Sequence, residues 1–86
     1  MTSKELFDKK AVEAGFDLSE NEEILKKIQK SIWRLVSDRN CYEEEIGKMA
    51  LDDVIKADFL CKQFGFFLQP SNNIKPIRYS ICKIRV

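Results

Sequence analysis

Eighty-six residues with 44% apolar and 34% charged side chains at a net charge of +1 describe one small globular domain, not a disordered chain or a strongly polyionic one. No apolar run approaches the roughly 20 residues that cross a bilayer, and the opening MTSKELFDKK lacks the apolar centre of a signal peptide, so a cytoplasmic protein with no membrane partner is expected. The absence of histidine excludes histidine acid–base chemistry and Ser/His or Cys/His nucleophiles.

The first element is a helix over about 3–14. Thr2 and Glu5 have capping-box spacing, and Gly15 supplies the left-handed residue on which helices commonly stop. Leu6, Phe7, Ala11, Val12 and Ala14 give it a narrow apolar side. A second helix spans about 20–38. Ser19 and Glu22 repeat the capping-box spacing, Glu20, Glu22 and Glu23 favour the positive end of the dipole, and Arg34 and Arg39 the negative end. Ile24, Leu25, Ile28, Ile32, Leu35 and Val36 recur at helical spacing as a buried face, with Lys26, Lys27, Lys30 and Arg34 opposite. Trp33 lies beside that stripe, at the core edge or as an anchor for a partner.

A third helix is expected over about 41–64, opened by Asn40 and the acidic run Glu43–Glu45. Tyr42, Ile46, Met49, Ala50, Val54, Ala57, Leu60, Cys61 and Phe64 keep a helical period, and Ile55 and Phe59 widen that face. Gly47 costs about 1 kcal/mol inside a helix, so the helix is either close-packed there or broken into two pieces. The short connection after Arg39 reverses the chain, which would pack the second and third helices antiparallel.

Past Gly65 the period changes to that of strands. Residues 66–69 and 77–85 form a two-stranded antiparallel hairpin around a loop containing Pro70, Ser71-Asn72-Asn73 and Pro76. The apolar side of the last strand switches near Ile81 and Cys82, which calls for a bulge or for cover on both faces. The fold class is therefore α+β, three helices followed by a C-terminal hairpin, in a single domain over 1–86.

Charge is divided unevenly. Residues 40–64 carry Glu43, Glu44, Glu45, Asp52, Asp53 and Asp58, whereas residues 65–86 carry Lys75, Arg78, Lys83 and Arg85 and no acid. The two segments either neighbour each other and offset, or the basic hairpin meets phosphate or an acidic protein. Cys41, Cys61 and Cys82 have no closely spaced partners and read as reduced apolar side chains, not as metal ligands. The three glycines are too far apart for a phosphate-binding loop, and Asp52, Asp53 and Asp58 lack the company a magnesium site needs. No catalytic residue, cofactor or metal is assigned.

The expected function is that of a small non-enzymatic interaction protein, an inhibitor, adaptor or regulator. Its binding surface would comprise the third helix and the basic hairpin, with Phe66, Phe67, Lys75, Arg78, Tyr79, Lys83 and Arg85, and Trp33 as an anchor. Short chains of this composition are common among phage and mobile-element regulators, an association of composition only. Homodimerisation through a free edge of the C-terminal strand is a further expectation. The alternative is a nucleic-acid-binding domain of winged-helix type with the hairpin as wing, which requires two helices around Gly47.

Overall fold

A computed structural model of the chain describes residues 2–70 and 77–84. The elements are α1 (Ser3–Glu13), α2 (Glu22–Ser37), β1 (Glu43–Gly47), α3 (Leu51–Gln63), β2 (Phe66–Pro70) and β3 (Tyr79–Lys83). Three helices and a C-terminal antiparallel pairing of β2 with β3 make the α+β arrangement that the residue pattern implies.

The start of α1 is capped as expected: the Thr2 hydroxyl accepts from the Glu5 amide at 3.1 Å. Its end is a Schellman turn. Gly15, at φ 101°, lets its own N–H reach Val12 O while the Phe16 N–H reaches Ala11 O, both at 3.0 Å. Phe16 and Ala11 are both buried, so the turn also fastens the helix to the core.

The start of α2 differs from the expected capping box. Asp17 organises it, because its Oδ1 accepts from the Ser19 hydroxyl at 2.7 Å and from the Ser19 and Glu20 amides. Ser19 therefore spends its hydroxyl on Asp17, and the helix begins only at Glu22. These three hydrogen bonds, the hydroxyl's first, hold the Asp17 carboxyl below its ordinary pKa. Leu25, Ile28, Ile32 and Leu35 form the buried face, but Val36 falls outside it and is 67% exposed. On α1, Phe7 and Ala11 are buried, whereas Leu6 and Val12 lie on the exposed side.

The expected helix over 41–64 is realised only from Leu51, and its first third is a strand. Glu43, Glu44 and Glu45 pair with Cys82, Ile81 and Ser80, so the hairpin becomes a three-stranded sheet in the order β1-β3-β2. An acidic run suits a helix N-terminus locally, but here tertiary pairing wins. Glu44 meets Arg34 at 3.3 Å and Glu45 meets Arg78, while Ile46 is driven into the core. Gly47, at φ 87°, completes a register shift between Glu45 and Gly47 that a helix could not accommodate. The reversal after Arg39 leads into β1, which packs along α2 ahead of α3. The two helices around Gly47 that a winged-helix order requires are thus a strand and a helix.

No bulge interrupts β3. Its register with β2 runs unbroken from Phe66 opposite Lys83 to Pro70 opposite Tyr79. Tyr79 and Ile81 face the helices, and Cys82 turns to the other side, where its neighbours Phe67 and Gln69 shelter it and its thiol donates to Gln69 Oε1 at 3.4 Å. β3 has a strand on each side over Tyr79–Lys83, so the free edge expected of the C-terminal strand is already paired there, by β1 and β2.

The core joins Phe7, Ala11 and Phe16 to the α2 face, Ile46, Ala57, Leu60, Cys61, Phe66, Tyr79 and Ile81. Phe7 closes one end. Its ring stacks on Phe64 at 5.9 Å between centroids and meets Trp33 edge-on at 6.4 Å. Among the described residues no helix is long and apolar enough to cross a membrane.

Candidate functional site

The residues singled out from the sequence are dispersed by the fold. Phe66 and Tyr79 are each 7% exposed and belong to the core. Trp33 is half-buried and packs on Phe7 and Phe64, which is the core-edge role. Phe67 is half-buried on the helix-free face of the sheet, beside Cys82. Lys83 is tied inward: its ammonium donates to Asp38 O at the end of α2 at 3.0 Å and lies 5.2 Å over the Tyr42 ring. Arg78 is exposed and paired with Glu45. Lys75 and Arg85 lie outside the described residues. Basic hairpin and acidic segment do therefore neighbour each other, through Arg78–Glu45, although the acid belongs to a strand and not to a helix.

Two other surfaces emerge. On α3, Leu51, Ile55 and Phe59 are 79%, 76% and 48% exposed. At i, i+4 and i+8 they form one stripe along the outward face. The pattern counted Ile55 and Phe59 toward the buried side, but Ala57, Leu60 and Cys61 fill that side. Asp52 and Lys62 flank the stripe, and Lys62 is held by Asp58 at 2.9 Å. Asp58 also accepts from the Leu68 amide at 3.1 Å, which fixes α3 against β2 and occupies an outward amide of that edge strand.

The second surface is an open groove of about 570 Å³ between α2 and β1. Lys27, Lys30 and Arg34 line it from the helix, the chain from Glu44 to Lys48 lines it from the strand, and Arg78 closes one end. Arg34 and Arg78 are paired with Glu44 and Glu45, whereas Lys27, Lys30 and Lys48 have no carboxylate partner among the described residues. Composition signalled the helix lysines, but nothing local announced that Lys48 and Arg78 would join them.

The thiols are not arranged for chemistry. Burial, and secondarily the Asp58 charge, pushes Cys61 up to about 12. Burial and then Glu43 raise Cys82. Both stay neutral, opposite to an activated nucleophile. Among the described residues no group of three or more His, Cys, Asp and Glu side chains could hold a metal ion. Comparison of the chain with protein-family models, with curated proteins and with solved structures finds no match.

Proposed function

We propose that this chain is a small non-enzymatic interaction protein, an inhibitor, adaptor or regulator, that docks a protein partner through the outward face of α3. The observation that carries this reading is the stripe Leu51, Ile55 and Phe59, three large apolar side chains in line and left to solvent. Scattered exposed apolar residues are ordinary, but an aligned set on one helix is the pattern of a helix laid into a complementary groove. Among the described residues the hairpin's share of the surface rests on Arg78, which is exposed and paired with Glu45, since Lys83 is engaged internally. Three unpaired cysteines suit a reducing compartment, which supports a cytoplasmic location. The winged-helix alternative draws less support, because the helix that would enter a DNA groove opens with Asp52 and Asp53 and presents apolar side chains outward.

The test compares partners captured from the native host by the parent chain, by Ile55→Asp and by Val12→Asp, a change at another exposed apolar side chain, on α1. Circular dichroism checks the fold of each, and sedimentation follows self-association. A partner lost with Ile55→Asp and kept with Val12→Asp supports the reading, with weakening of about 30-fold or more as for a hot spot. The same partners at the same affinity with both variants would sink it.

A further inference from the structure

Among the described residues β1 is an edge strand, with a neighbour on one side only. The Lys83 amide donates to Tyr42 O at 2.9 Å, which sets the phase of the β1–β3 ladder. By the alternation of an antiparallel pair, Glu44 turns its N–H and C=O toward β3, and Glu43 and Glu45 turn theirs away. The other edge of the sheet is guarded, since Asp58 takes the outward amide of Leu68. The Glu43 carbonyl accepts from the Cys41 thiol at 3.6 Å, so the outward groups that the ladder leaves for another strand are centred on Glu45. The open edge of β1 forms one wall of the α2–β1 groove, and the opposite wall is cationic. Lys27, Lys30 and Arg34, at i, i+3 and i+7, make a stripe about 10 Å long on α2, the reach of about three residues of extended chain.

We propose that this groove accepts an acidic, extended peptide segment of a partner protein, laid as a fourth strand on the outer edge of β1. The backbone of the segment meets the outward amide and carbonyl of Glu45, and its alternate side chains point toward α2, where carboxylates meet Lys27 and Lys30. Lys48 adds a third unpaired cation at the end of the strand. Glu44 and Glu45 are already neutralised by Arg34 and Arg78, so they do not repel carboxylates carried on one side of the incoming strand. The groove has no aromatic side chain on which a base could stack, and the ladder groups on the edge of β1 match a peptide backbone, so the peptide is favoured over a nucleic acid. The site is separate from the α3 stripe and stands or falls independently of it.

The probe is a fluorescein-labelled octapeptide of alternating glutamate and valine, titrated against the full chain by fluorescence anisotropy at low and physiological salt. Four controls accompany it: the lysine–valine counterpart, two glutamate–valine peptides N-methylated at alternate residues in the two registers, and a labelled single-stranded oligonucleotide. The expected result is saturable binding of the glutamate peptide alone. It weakens by about tenfold in Lys27→Glu/Lys30→Glu, a variant confined to exposed side chains whose melting temperature verifies its fold. N-methylation in the register that faces β1 abolishes binding. Equal binding of both N-methylated registers and the parent peptide overturns the strand addition. Tighter binding of the oligonucleotide overturns the choice of ligand, and no binding of the glutamate peptide at low salt overturns the proposal altogether.

Discussion

Replacing Gly47 by alanine should destabilise the protein, and the sign of the effect distinguishes the two structures that this stretch could adopt. In a helix running through position 47, Gly→Ala would stabilise by about 1 kcal/mol. In the observed strand Gly47 sits at φ 87°, where a side chain costs about 1–2 kcal/mol. Space is not the obstacle, because an added Cβ would meet nothing closer than Arg78 Nη2 at 3.7 Å, an ordinary contact. The whole penalty is therefore backbone conformation. For a domain of this size it lowers the melting temperature by about 4–16 °C. Urea unfolding followed by circular dichroism should show a lower midpoint with an unchanged slope. Gly65→Ala is the internal reference: its φ is 86°, nothing lies within 4 Å of the added methyl, and the same loss is expected. A Gly47→Ala protein as stable as the parent, or more stable, beside a destabilised Gly65→Ala would refute the strand assignment at β1.

Phe7→Ala should cost about 3–5 kcal/mol in urea unfolding, since it empties the site shared with Phe64 and Trp33; a loss under about 1 kcal/mol would mean that α1 is not anchored there. Native protein treated with a thiol reagent at pH 8 should react first at Cys41, and Cys61 should react only on unfolding; early labelling of Cys61 by mass spectrometry would contradict its burial. The Cys61 pKa is raised in the fold, so its contribution is complete below the unfolded thiol value and is lost as pH climbs toward about 12, giving a stability decline in alkali that Cys61→Ala reduces. Asp17 has the opposite sign: its folded pKa is depressed, so its contribution is present above about pH 4 and is lost as acid protonates it. Asp17→Asn should flatten that acid limb of the stability profile, and an unchanged limb would remove the carboxylate from the start of α2.

What the residues disclosed was the local part of the fold. The Thr2 cap, the Gly15 stop, the α2 face from Leu25 to Leu35 and the change of period after Gly65 each depend on a few neighbouring side chains, and each is present. β1 was hidden because Glu43–Glu45 reads as a helix start, and only the distant residues Ser80–Cys82 make it a strand. The α3 stripe was hidden for a different reason. Apolar residues surround that helix, so periodicity could not say which of them the core would take. Phe66 and Tyr79 looked available to a partner because aromatic residues serve both cores and interfaces, and in a domain this small the core claims them.

The place of β3 in the sheet also governs the order in which the molecule can assemble. Both β1 and β2 pair with β3 and not with each other, and β3 follows both in the chain. A nascent chain halted before Tyr79 therefore holds three helices and two strands with no partner for either. On the ribosome the helices can gather around Leu25, Ile28 and Phe7 early, but every ladder hydrogen bond waits for the same five residues to emerge. Sheet formation is then a single late event, and a chain that stalls short of it exposes two unpaired strand edges to aggregation and proteolysis.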